Sequence, residues 1–275
     1  MRLSRSSLAV NLEIAGTPFS PLSVQRMQEA RIQRTEFPLV KRYLAYETDG
    51  VLKEAAAVLQ DAGIEVWSCH PPFGGEWDIS QTDPAKRRRA VELTAGTFAP
   101  ARALGATRII LHPSAEPIAD GDRPARLAQA RQSLRELAAV APPGLRLAVE
   151  FLPRTCLGHT LAELMTIISN LDPERAGACL DVNHANLRED LACCVRTLGD
   201  RLLTLHISDN DGVDERHWLP GSGVIHWPAF LRALEQSSYA GAFVYETARR
   251  DGQELEGLKE IVRNFTTLLA QVHNP

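Results

Sequence analysis

The sequence predicts one (β/α)8 TIM barrel spanning residues 1–275. Short β-rich apolar runs alternate with longer helical segments from one end of the chain to the other. A His, Glu or Asp stands at or just beyond the C-terminal end of runs three to eight, the positions a barrel gathers at its mouth. No low-complexity linker or compositional break divides the chain, so a single domain accounts for its length. A doubly wound open sheet is the alternative, but no Gly-rich phosphate loop follows the first run.

The eight expected strands cover residues 8–14, 42–46, 64–69, 107–112, 146–151, 177–182, 202–207 and 242–246. The second is the least regular, because residues 34–46 carry charges and Pro38 and admit another register. Between strands three and four, Asp83 reads as an N-cap with Pro84 in the first turn. Val91, Thr94, Phe98, Ala101 and Leu104 then follow on one helical face. Gly63 and Gly105 end helices before the next strand, and Thr160 with Glu163 has capping-box spacing. Pro142-Pro143-Gly144 reads as a turn.

Composition narrows the function classes. The chain has 30 Lys and Arg against 34 Asp and Glu, a formal charge of −4, with 44% hydrophobic and 23% charged residues. These values fit a globular protein and exclude a disordered, collagenous or disulfide-scaffold chain. No apolar run reaches the roughly 18 residues of a membrane helix. Five cysteines, at 69, 156, 179, 193 and 194, form no CxxC pair and suit a reducing compartment. Residues 1–10 lack the pattern of a signal peptide, so a cytoplasmic location is expected. The acidic balance argues against sequence-independent nucleic-acid binding.

The strand-end residues are His70, His112, Glu150, Asp181 with His184 three residues on, His206 and Glu246. Glu150, Asp181, His206 and Glu246 end consecutive strands. Without a cation, three crowded carboxylates would raise each other's pKa, so the group implies a bound divalent ion. Mixed oxygen and nitrogen ligation suits Mn2+ or Zn2+ foremost, with Co2+ and Mg2+ as further candidates. Arg216, in the loop after strand seven, could hold a substrate oxygen. The run Pro72-Phe73-Gly74-Gly75-Glu76-Trp77 and Trp218 could wall a pocket, since sugars present apolar C–H faces to aromatic rings. His159, His226 and His273 have no strand-end placement and read as surface or capping residues. Arg87-Arg88-Arg89 reads as a solvated helix face, and Cys193-Cys194 as helix packing.

The runs Arg108-Ile-Ile-Leu-His112-Pro, Leu147-Ala-Val-Glu150, Cys179-Leu-Asp181-Val-Asn-His184, Leu205-His206-Ile-Ser-Asp209, Asp214 to His217 followed by Leu-Pro-Gly221-Ser-Gly223, and Val244-Tyr-Glu246 together resemble the xylose-isomerase-like TIM barrel superfamily. The resemblance covers the chain from about Ile64 onward. That superfamily includes sugar (phosphate) isomerases and epimerases, inosose dehydratases and endonuclease IV. The resemblance implies that Glu150, Asp181, His206 and Glu246 hold one catalytic metal, that Glu150 and Glu246 double as acid and base, and that His184 contacts a substrate oxygen. His70 and His112 resemble further features of the sugar-isomerase branches. The implied reaction is isomerisation or epimerisation of a sugar, sugar phosphate or cyclitol ketone through a metal-stabilised enediolate. The implied partner is that small molecule, and related barrels are often homo-oligomers.

Two alternatives come with the resemblance. An inosose-type dehydratase would lose a β-hydroxyl from the same intermediate. An endonuclease IV-like zinc phosphodiesterase acting on abasic DNA would use nine ligands, with candidates at His70, His112, Glu150, Asp181, His184, His206, Asp214, His217 and Glu246. Against the nuclease, two residues rather than one separate Asp214 from His217, and no Lys/Arg-rich DNA-facing loop is evident. A non-catalytic barrel that senses a metal or sugar is a third reading, which the presence of both candidate acid/base glutamates does not favour.

Overall fold

Parallel pairing of consecutive strands demands a crossover after each one, and the helical segments between the apolar runs supply it. The computed structural model describes residues 3–273. Its strands are β1 (Leu8–Asn11), β2 (Arg34–Pro38), β3 (Glu65–His70), β4 (Arg108–Leu111), β5 (Arg146–Glu150), β6 (Ala176–Asp181), β7 (Leu202–Ile207) and β8 (Phe243–Tyr245). Each pairs in parallel with the next, and β8 closes on β1 with Leu8 opposite Phe243.

The second strand lies at Arg34–Pro38, not at residues 42–46, which form a turn and irregular chain. The charges that made this stretch look unlike a strand point to one side of it. Phe37, on the other side, packs at 5.5 Å ring-centroid distance against both Phe19 and Tyr43. Pro38 is tolerated as the last residue of the strand. The first strand also stops early, at Asn11, whose side chain accepts from the Glu13 N–H and starts a 3-10 turn over Leu12–Ala15.

Two bulges set which side chains face inward. Between β2 and β3 the register passes from Thr35–Val66 to Glu36–Ser68, and between β6 and β7 from Ala178–Leu202 to Cys179–Thr204. Each bulge inserts one residue, Trp67 or Leu203, and so shifts the alternation by one. Trp67 and Ser68 can therefore both reach the interior, as Leu203 and Thr204 do. The Trp67 indole N–H donates to Thr204 Oγ1 at 3.0 Å across the barrel, and the Arg108 guanidinium lies 3.4 Å from its ring centroid. Ala9, Trp67, Ala242 and Val244 form one interior apolar cluster, and Ile110, Ala148, Cys179 and Leu203 form another. Interior layers of this kind make the barrel a packed core and leave its C-terminal mouth for function.

The helices follow their sequence signals with two differences. Asp83 caps Pro84–Gly96 by accepting from the Ala85 and Lys86 amides, but the helix breaks at Thr97 and resumes as Phe98–Ala103. Pro100 has no N–H to offer Gly96. Thr160 Oγ1 accepts from the Glu163 amide, yet the Glu163 carboxylate turns to the Gly158 N–H at 2.6 Å, so the reciprocal half of the capping box is replaced. Arg87 is buried and donates to Ser133 and Glu136 at 3.0 Å, unlike its exposed neighbours Arg88 and Arg89. Cys194 is buried and Cys193 exposed, and all five thiols are free. Among the described residues, no helix is long and apolar enough to cross a membrane.

Candidate active site at the barrel mouth

Strand ends carry the polar residues because only there does the packed interior open. Glu150 and Asp181 are the last residues of β5 and β6, His206 is the penultimate residue of β7, and Glu246 follows β8 with its N–H donating to Ile207 O at 3.0 Å. His206 sits among them, fully buried. Its Nδ1 is 3.1 Å from Glu150 Oε1, 3.2 Å from Glu246 Oε2 and 3.9 Å from Asp181 Oδ2. One ligand atom from each of these four residues lies within 4.8 Å of the others.

Two further groups adjoin this cluster. His70, His112 and Glu150 form one, in which Glu150 Oε2 is 2.8 Å from His112 Nε2 and 3.5 Å from His70 Nε2. His184, Glu215 and His217 form the other. His184 stands in a short helical turn, Val182–Ala185, that Asp181 begins by accepting the His184 amide N–H through Oδ1. The His184 ring shares a hydrogen bond with Phe151 O at 3.0 Å through Nδ1, leaving Nε2 2.6 Å from Glu215 Oε2. His217 adopts a positive φ of 50° and its Nδ1 is 2.9 Å from the Glu246 carbonyl.

The donor set fits a divalent cation. Asp181 Oδ2 is buried with no hydrogen-bond partner, and neither imidazole contact of Glu150 Oε2 is aligned as a hydrogen bond. Buried carboxylate oxygens left in this state are costly unless a positive charge compensates them. The local fields agree. Burial pushes the Asp181 carboxyl up to about 6, opposed by His184 and assisted by Glu150 and Glu246. Burial opposes a proton on His184, but Asp181, Glu215 and Glu150 hold it at about 10. His70 rises to about 9 because Glu150 outweighs its burial, whereas burial wins at His112 and lowers it. Glu246 is held at about 2 by His206 despite its desolvation.

Above the cluster lies a cavity of about 350 Å3, walled by Phe73, His112, Arg154 and Leu152 and reaching Glu150, His184, Glu215 and Glu246. Phe73 is the aromatic wall, its ring stacked on His112 at 4.2 Å. Trp77 lies behind it, outside this lining. Trp218 faces a neighbouring groove of about 400 Å3 with Ile14 and Arg249. Arg216 turns away to Asp211 at 2.7 Å and lines neither space. The guanidinium at the cavity rim is instead Arg154, which joins Glu116, Asp214 and Glu215 across three loops.

Three residues escaped the sequence reading. Glu36 was hidden by the misplaced second strand. Glu215 was passed over for Asp214, although it is Glu215 that meets His184 and stands one residue from His217. Arg154 carried no signal beyond its position after strand five. Gly221 and Gly223, in the loop after β7, serve the Asp209 turn: the Gly221 N–H goes to Asp209 Oδ2 at 2.7 Å, and Gly223 packs against Asn210 O and Asp209.

The family model described as xylose isomerase-like TIM barrel matches residues 30–268. An uncharacterized protein of Methanocaldococcus jannaschii is 25% identical over 207 residues, covering 73% of this chain and 70% of its own length. A protein named probable endonuclease 4 from Nitratidesulfovibrio vulgaris is 28% identical over 212 residues, covering 70% and 73%. Among solved structures, a D-tagatose 3-epimerase-like protein superposes with a TM-score of 0.82 at 21% identity, covering 96% of this chain and 98% of that one.

Proposed function

The chain belongs to the xylose isomerase-like TIM barrel family, and on that premise we propose that it is a divalent-metal-dependent isomerase or epimerase of a sugar, sugar phosphate or cyclitol ketone. The observation that carries this reading is the pair Glu150 and Glu246, both within about 3.2 Å of His206 Nδ1 and both reaching a cavity of about 350 Å3. That space suits a small polyol rather than a polymer.

Glu150, Asp181, His206 and Glu246 would hold the ion. A divalent cation there supplies Lewis acidity toward a carbonyl and its neighbouring hydroxyl. Glu246, 24% exposed and ionised, is placed to take a proton from the carbon beside the carbonyl. Glu150, buried and 3.1 Å from the same His206 Nδ1, would return a proton that it first takes up from solvent, since His112 and His206 hold its carboxylate ionised. Return on the opposite face epimerises the carbon, and return to the adjacent carbon isomerises. His184, kept protonated by Asp181 and Glu215, would donate its Nε2–H to a substrate oxygen that takes the place of Glu215 Oε2, which holds that N–H at 2.6 Å. Phe73 offers a ring to an apolar sugar face. The test is deuterium uptake from D2O beside the carbonyl of ketoses and inososes. Uptake that requires added Mn2+ or Zn2+ supports the reading, and its absence across both substrate classes with metal bound overturns it.

A second reading is favoured by one specific observation. Glu150 belongs to two of three contiguous ligand groups, so the mouth offers nine donors for more than one ion. Glu215 restores the one-residue spacing to His217 that Asp214 lacks. Such a site, with the 28% identical probable endonuclease 4, supports a multi-zinc phosphodiesterase. Native mass spectrometry separates the two: about one ion per chain favours the ketone enzyme, and about three zinc ions make abasic-DNA cleavage the assay.

A further inference from the structure

Glu36 is fully buried on β2, on the inner side of the barrel, directly behind the carboxylate cluster. Its Oε2 receives both of its hydrogen bonds, from Ser68 Oγ at 2.7 Å and from His206 Nε2 at 3.1 Å, while Oε1 has no partner. A carboxylate so placed costs stability that an apolar side chain would not, so its presence calls for a role besides packing. Its histidine neighbour has the other ring nitrogen, Nδ1, surrounded by Glu150, Glu246 and Asp181.

We propose that Glu36 is a positioning residue for the metal centre, accepting the Nε2–H of His206 and so presenting an unprotonated Nδ1 to Glu150, Asp181 and Glu246. A neutral imidazole has one N–H, and a ligating nitrogen must be the other one. Without Glu36, the three carboxylates would draw that proton to Nδ1 and occupy the lone pair the ion needs. The bulge at Trp67 is part of the same device, because it brings Ser68 inward to hold Oε2 in place. This inference rests on the metal-binding reading above and deepens it.

The test compares wild type with Glu36→Gln, Glu36→Ala and Ser68→Ala, using Mn2+ and Zn2+ alone as probes. Metal Kd is read by chelator competition, and melting of the metal-free and metal-saturated forms by circular dichroism. Loss of an outer partner to a ligating histidine typically weakens metal binding on the order of 10- to 100-fold. Glu36→Ala is expected in that range. Glu36→Gln is expected to lose less, because its amide oxygen can still accept the Nε2–H, and Ser68→Ala least. Metal-free melting is expected to hold or rise while the gain on adding metal shrinks. Unchanged Kd in folded variants, with only metal-free melting lowered, would make Glu36 structural and overturn the inference. If Glu36→Ala does not fold, Glu36→Gln and Ser68→Ala decide by the same Kd criterion. Failure of wild type to bind either ion would instead defeat the metal reading itself, which keeps the two failures distinct.

Discussion

His184 Nε2 lies 2.6 Å from Glu215 Oε2, joining the turn after β6 to the loop after β7 at the rim of the cavity. The contact holds Glu215 at about 2 and, with Asp181, raises His184 from 6.5 to about 10. Because the folded pKa of His184 is the higher one, its stabilisation is complete below pH 6.5 and is lost as pH rises through about 10. Glu215→Gln is expected to lower the His184 titration midpoint by a unit or more, about 1.4 kcal/mol of interaction per unit. An NMR titration of the metal-free protein in which the midpoint does not move would rule the pairing out.

The two glutamates of the central cluster bear on chemistry more than on folding. Glu150→Gln or Glu246→Gln is expected to lower proton exchange by at least about 100-fold, the usual scale for a lost acid or base, with the circular dichroism spectrum retained. Exchange near the wild-type rate in either variant would remove that residue from the mechanism.

Asp181 trades stability for metal binding. Its folded pKa of about 6 exceeds the ordinary 3.8, so its contribution to metal-free stability is present below pH 3.8 and lost as pH rises through about 6. Asp181→Asn keeps an oxygen to accept the His184 amide and removes the buried charge. The variant should therefore melt higher than wild type at pH 7 without metal and bind Mn2+ or Zn2+ more weakly. Equal metal affinity would exclude Asp181 as a ligand.

Gly223 is needed for a close approach. A Cβ there would lie 2.0 Å from Asn210 O and 2.4 Å from Asp209 Oδ1, whose carboxylate also holds the Trp227 indole and the Gly221 and Ile225 amides. Gly223→Ala is expected to cost about 3 kcal/mol, the upper part of the usual range for overpacking. A denaturant midpoint equal to wild type would contradict it.

The two arginines at the mouth should differ sharply. Arg216, 40% exposed and paired among the described residues only with Asp211, is expected to tolerate alanine with less than about a twofold change in kcat/KM, in keeping with the small worth of an exposed ion pair. Arg154 ties three loops around the cavity. Arg154→Ala is expected to raise KM several-fold by loosening them. Equal sensitivity at the two positions would mean that the rim network does not shape the cavity.

The order of apolar runs and helices was enough to specify the barrel and to place a set of ionisable residues at its mouth. The alternation of strand and helix survives the misplacement of β2, because the barrel needs seven crossovers between consecutive strands and not any particular register. His70, His112, Glu150, Asp181, His206 and Glu246 were legible because an apolar run ending in an ionisable group is a local pattern. Glu36 was not, since the same barrel that hides it makes β2 read as charged and proline-bearing. Long-range contacts place Glu215 and Arg154, rather than Asp214 and Arg216, at the cavity. Glu215 and Arg154 are aimed by partners far away in sequence, His184 and Glu116, and no local spacing records those contacts.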